Sequence, residues 1–230
     1  MLKNAWKNHK PDPIKLIFFF AVGLLFSHLE FTKILGSDIS FTLFDFFGPA
    51  LGALLGIFGG VFVALAVGLS NLALDVYQGQ PIELASILRL VPVLFGVVYF
   101  GLKKADLSSK IFLAVPALCM ILFWIHPEGR EAWYYALYWL IPLFAYFFKN
   151  HVFANALGST FTIHAVGGAA WLYAFNLPAE IWTALIPIVA LERFVFATGI
   201  AGTYLSVEKI SEQITKTTEK LLKKEVKENS

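Results

Sequence analysis

Apolar residues in this chain run in blocks about as long as a bilayer is thick, and polar residues gather between the blocks. The apolar runs fall at about 15–34, 42–58, 60–76, 86–102, 110–125, 132–148, 153–175 and 181–205. A hydrocarbon core is crossed by roughly 20 residues of helix. Backbone polar groups in lipid must bond within the protein, which leaves helices or a closed barrel. These runs are too long and too rarely alternating for barrel strands. The pattern predicts an all-α fold, a polytopic transmembrane helical bundle of about eight segments, or six to seven if a short one is re-entrant.

Within 42–76 small residues recur at every fourth position: Gly48, Gly52, Gly56, Gly60, Ala64 and Gly68. Helices in lipid gain nothing by merely hiding apolar surface, and they associate where small residues let backbones approach. The ladder therefore predicts tight helix contacts. As one helix, 42–76 would measure roughly 50 Å, and a four-residue repeat would drift about 40° per step around it. A break is needed, and Gly59-Gly60 is the expected place.

Charge placement orients the spans. Lys3, Lys7, Lys10 and Lys15 precede the first run, which continues to Glu30 without a small-residue cleavage site and reads as an uncleaved span. With both termini cytoplasmic, eight spans put Lys103, Lys104, Lys110 and Lys149 inside and the loops 75–83, 126–130 and 176–180 outside, in keeping with the positive-inside rule. Residues 1–205 then form the membrane domain. Residues 206–230 form an amphipathic cytoplasmic tail, with Val207, Ile210, Ile214, Leu221 and Leu222 on one side among Lys and Glu. The tail would lie on the inner leaflet or dock a cytoplasmic partner.

Composition agrees: 58% of the 230 residues are hydrophobic and 15% charged, where soluble domains carry about 25% charged residues. A net charge of +2 without a basic patch gives no reason to expect nucleic acid. Cys119, the single cysteine, excludes an intramolecular disulfide and a thiolate cluster, and reads as a packing residue.

Ionisable groups inside spans are costly, so each is a candidate for function. Glu192 and Arg193 stand near the middle of the last run, about 100° apart on a helix and so under no obligation to pair. His164 lies mid-run, with Thr160 one turn earlier on the same face and placed to hydrogen-bond toward it. A second set gathers toward the outer side: Glu30, Asp45, Asn71, Asp75, Arg89, His126, Arg130 and Trp133, with Trp171 and Trp182. Asp45, Asn71, Asp75 and Arg89 come from consecutive segments around the glycine contacts and are the favoured pocket groups. The binding set expected is thus Asp45, Asn71, Asp75, Arg89, His164, Trp171, Glu192 and Arg193. No hydrolase, zinc-protease or P-loop motif occurs. No catalytic residue, metal ligand or cofactor is assigned; His126-Pro-Glu-Gly is too sparse for a metal site.

Two stretches resemble a family, the substrate-binding S components of energy-coupling-factor (ECF) transporters. Phe31–Gly56 (FTKILGSDISFTLFDFFGPALGALLG) looks like the family's first outer loop leading into Gly/Pro-rich helices. Leu177–Ala190 (LPAEIWTALIPIVA) looks like the entry to its final helix. The resemblance implies capture of a vitamin-like micronutrient from outside, with the solute between the first outer loop and the later helices. It implies a transmembrane coupling protein and two ABC-type ATPases as partners. Family members have six spans, so two here would be an insertion between 103 and 150.

Three functions follow in order. First comes a plasma-membrane, multi-pass solute-capture subunit served by an ATP-driven partner, with the small molecule and the lipid bilayer as its other contacts. The alternative is a stand-alone secondary transporter or channel with His164, Glu192 and Arg193 as a relay. An intramembrane enzyme ranks third, with His164 and Glu192 as acid and base.

Overall fold

The structure, a computed structural model, describes residues 12–33, 40–104, 110–148 and 151–228. Lys3, Lys7, Lys10 and Lys149, on which the orientation partly rests, lie outside the described residues.

Helix α1 (Pro13–Ser27) starts where Asp12 accepts the Ile14 N–H at 2.9 Å, with proline at its first position. A small antiparallel hairpin follows, β1 (Glu30–Lys33) with β2 (Ser40–Thr42), irregular in register between Glu30 and Thr32. The next apolar run holds two single-turn helices, α2 (Phe44–Phe47) and α3 (Leu51–Leu54), before the long α4 (Gly56–Tyr77). Helix α5 is Leu84–Lys104. A 3₁₀ turn (Lys110–Leu113) leads to α6 (Ala114–Ile125) and the short α7 (Pro127–Glu131). A second 3₁₀ segment, Trp133–Leu140, runs into α8 (Ile141–Ala145); α9 (Val152–Phe175) and α10 (Ala179–Glu228) complete the chain.

Helices account for nearly all the regular structure, and three are long and apolar enough to cross a membrane: Gly56–Tyr77, Leu84–Leu102 and Ala179–Leu221. Pro13–Ser27 and Ala114–Ile125 are apolar but shorter. The outward faces of the long helices stay apolar: Phe58 is 66% exposed, Phe62 64% and Leu191 69%. A surface of that kind suits hydrocarbon better than water.

The ladder packs as expected, but the chain breaks elsewhere. The break lies at Leu55-Gly56, where Gly56 has φ +76°, and not at Gly59-Gly60. The reason is packing. Gly60 is buried against α3, and a Cβ there would lie 2.7 Å from the Gly52 nitrogen. A Cβ on Gly52 would overlap the Val97 carbonyl, and one on Gly101 would lie 2.6 Å from the Gly52 oxygen. Gly52, Gly60 and Gly101 thus let α3, α4 and α5 meet backbone to backbone, while Gly56 supplies the left-handed bend.

Contacts also give helix directions. Gly23 meets Val67 and Ser27 meets Asn71, so α1 and α4 run parallel. Gly68 meets Leu90 and Gly101 meets Ile57, so α5 returns antiparallel. Gly158 meets Tyr99 and Gly167 meets Pro92, with the Ser159 hydroxyl donating to the Gly96 carbonyl at 2.8 Å, which makes α9 antiparallel to α5. Helix α9 ends on Asn176 in the left-handed region, its N–H bonded to the Leu172 carbonyl. The Glu128 carboxylate then accepts the Ala179 N–H at 2.9 Å and caps α10. Glu128 of the sparse His-Pro-Glu-Gly loop is therefore a helix cap.

The tail expected as a separate element continues α10 without interruption, a helix of 50 residues. From Ser211 to Leu221 every residue is exposed. Cys119 is buried in an aromatic core with Phe123, Tyr135, Trp139 and Trp182.

Backbone contact at Gly52 leaves no room for a methyl group. Gly52→Ala is expected to destabilise the protein by about 1–3 kcal/mol. Gly202→Ala, with open space around it, should be neutral or gain up to roughly 1 kcal/mol. Melting followed by tryptophan fluorescence in micelles checks both.

Candidate functional site

Four of the predicted polar residues meet at one end of the bundle. The C-terminal ends of the parallel helices α1 and α4, the N-terminal end of α5 and the hairpin surround a cavity of about 420 Å³. Asp45, Asn71, Asp75 and Arg89 all line it, joined by Ser27, His28, Glu30, Ser40, Thr42 and Ser86, with Ala64, Val67 and Val93 as its apolar floor. From Asp75 at the mouth to Ala64 the cavity runs eleven residues along α4, roughly 16 Å.

The local chemistry holds these groups in place. The Thr42 N–H donates to Asp45 Oδ2 at 2.8 Å and its hydroxyl reaches the same oxygen at 3.4 Å, an arrangement that fixes the turn into α2. Ser27 Oγ donates to the Leu24 carbonyl at 2.8 Å and approaches Asn71 Oδ1 at 3.2 Å. Arg89 Nη2 donates to the Ser40 carbonyl at 3.3 Å, tying α5 to β2. Three carboxylates (Glu30, Asp45, Asp75) face one guanidinium and the His28 ring, so the lining favours a ligand rich in hydrogen-bond donors.

His164, Glu192 and Arg193 form a second, buried group. Thr160 does not serve His164: Trp139 Nε1 donates to His164 Nδ1 at 3.0 Å, and His164 Nε2 lies 2.8 Å from the Tyr135 hydroxyl. With Nδ1 accepting, the neutral ring carries its proton on Nε2 and donates to Tyr135. Thr160 instead turns its hydroxyl to Arg193 Nη1 at 3.4 Å. Glu192 and Arg193, adjacent on the helix, do approach each other, Oε2 to Nη2 at 3.5 Å. The Arg193 guanidinium lies over Phe196 (4.3 Å) and Phe41 (5.7 Å), within cation–π range of both.

Trp171 belongs to neither group. Its ring meets that of Phe175 at 4.7 Å, tilted by 45°, and packs against the aromatic core. Of the outer residues, Glu30 joins the cavity. His126 packs on Tyr173, the Trp133 carbonyl accepts Trp124 Nε1, and Trp182, 3% exposed, donates to the Leu177 carbonyl. Arg130 is exposed. Sequence reasoning missed Tyr135 and Trp139; the available signal was the run Trp133–Leu140, whose Tyr and Trp carry polar tips that need partners when buried. Among the described residues no three His, Cys, Asp or Glu side chains gather as a metal-ligand set.

Compared with protein-family models, curated proteins and solved structures, the chain matches none.

His164 bonded at both nitrogens reads as a structural knot. Trp139→Phe leaves a buried nitrogen unpaired and should cost about 1–3 kcal/mol. Chemical denaturation of the purified variant measures it.

Proposed function

We propose that this chain is a solute-capture subunit of the plasma membrane, binding a small molecule in the hairpin-covered cavity for uptake by an ATP-driven partner. The observation that carries the reading is the cavity itself. Asp45, Asn71, Asp75 and Arg89, from successive segments, converge on a space of about 420 Å³, a size suited to a metabolite.

Further features support it. The cavity opens at the end reached by α1 and α4 and left by α5, which is the outer face under the eight-segment, termini-inside topology proposed here. The hairpin and the Gly/Pro-rich turns after it occupy the stretch that resembles the first outer loop of ECF S components. The chain carries no P-loop, so uphill uptake would draw on a coupling membrane protein and ABC-type ATPases. The relay alternative gains little from His164, whose two nitrogens are both engaged with aromatic side chains.

The test is purification from native membranes in mild detergent, with mass spectrometry of co-purifying proteins and small molecules. The expected outcome is a stoichiometric ATPase pair, a coupling subunit and a retained metabolite. Asn71→Leu, which fills the cavity, should lower metabolite retention at least tenfold. A partner-free protein that retains nothing, from membranes in which a coupling complex is expressed, would overturn the reading.

A further inference from the structure

The cavity is sorted along its depth. On α4 its lining passes from Val67 and Gly68 through Asn71 to Asp75, and on the antiparallel α5 from Val93 and Leu90 to Arg89 and Ser86. The inner half is therefore apolar and the outer half polar. The inner half is also narrow: a Cβ on Gly68 would lie 2.5 Å from Leu90 Cδ2.

The outer half carries an unbalanced charge, and its carboxylates come from three separate elements. Thr42 of β2 is the register partner of Glu30 on β1, and it donates through its N–H and its hydroxyl to Asp45 at the start of α2. Glu30 and Asp45 thus flank a single residue. Asp75 approaches from α4, one turn beyond Asn71 on the same side of the helix. Asn71 is itself met at 3.2 Å by the hydroxyl of Ser27, three residues before Glu30, so α1 and α4 bring these groups to one rim. Against the three carboxylates stands one guanidinium, Arg89, and its bond goes to the Ser40 carbonyl. Among the described residues no ion pair joins Arg89 to any of the three, and the Glu30 and Asp75 carboxylates have no protein donor.

Like charges beside low-dielectric walls hold a negative potential over the space between them, and a cation entering that space relieves it. The geometry says which kind of cation. A bare metal ion needs its oxygen ligands within about 2.6 Å of one point, and among the described residues no three His, Cys, Asp or Glu side chains gather in that way. The carboxylates ring an opening instead of converging on a point. Behind the opening lies a narrow apolar slot, which accommodates hydrocarbon and offers an inorganic ion nothing.

We propose that the captured solute is an organic cation, its protonated amine or quaternary ammonium head held among Glu30, Asp45 and Asp75 and its apolar end seated between α4 and α5 against Val67, Leu90 and Val93. This assignment rests on the solute-capture reading and names the substrate class of that same cavity.

The experiment uses the full chain in lipid nanodiscs and a small-molecule extract of the cells that express it, with EDTA present. Equal portions of the extract pass at neutral pH over a strong cation exchanger, over a strong anion exchanger, or over neither; uncharged solutes and zwitterions survive both columns. The untreated and the anion-depleted portions should raise the melting temperature of the wild type by several degrees, and the cation-depleted portion should not. Material eluted from the cation exchanger and added back should restore the shift. Asp75→Asn and Glu30→Gln keep the shape of the rim and each remove one charge. Empty, both should melt like the wild type, and each should need roughly tenfold more extract for the same shift. Equal stabilisation by the cation-depleted portion, or an undiminished response in either variant, overturns the organic-cation assignment and leaves capture standing. A response seen only when EDTA is left out marks a metal ion and also overturns it. If a variant fails to fold, the two columns still decide the matter on the wild type alone. A wild type that responds to no portion, with or without EDTA, removes the capture reading as well.

Discussion

The contact of Gly52 with Gly60, Gly101 and the Val97 carbonyl is the constraint from which the rest of the arrangement follows. In lipid, close approach rather than exclusion of water holds helices together, and no side chain intervenes where α3, α4 and α5 touch. That closeness sets α3 against the two helices and so fixes the start of the same run. Asp45 and Phe46, seven and six residues before Gly52, are thereby held against the cavity and against α10. Phe46 fills the hollow left by Gly199, where a Cβ would overlap its ring. One backbone junction thus positions both polar centres.

Much of this was legible in the chain. Alternating span direction places the ends of successive segments on a common side, so Asp45, Asn71, Asp75 and Arg89 were recognisable as neighbours before their contacts were known. The glycine ladder announced close packing but not which glycine bends the chain, since the same residue type serves both purposes. Gly60 is needed for contact and Gly56 for its dihedral angle, and no local signal separates the two. The surroundings of His164 were illegible for a different reason. Its partners Tyr135 and Trp139 stand 29 and 25 residues away, on a 3₁₀ segment that periodicity did not announce. Thr160, one turn away and the obvious local partner, is drawn off by Arg193 across the helix interface.

The two polar centres differ in kind. Around His164, every strong group has a partner at 2.8–3.0 Å, and aromatic rings close the gaps. Around Arg193 the distances are stretched and a donor is left over. Saturated networks rigidify a core, whereas unsaturated ones carry a standing free-energy cost. The saturated network on α9 and the 3₁₀ segment thus lies beside the unsaturated one on α10, with Thr160 of α9 touching Arg193 directly.

Helix α10 carries that arginine and then continues as an uninterrupted rod to Glu228. The 35 residues from Arg193 to Glu228 span roughly 52 Å, most of it beyond the packed body of the protein. Such a rod has leverage. A tilt of only about 5° at the arginine displaces the far end by about 5 Å, so a change too slight to disturb the packing near the cavity becomes a large excursion at the tip.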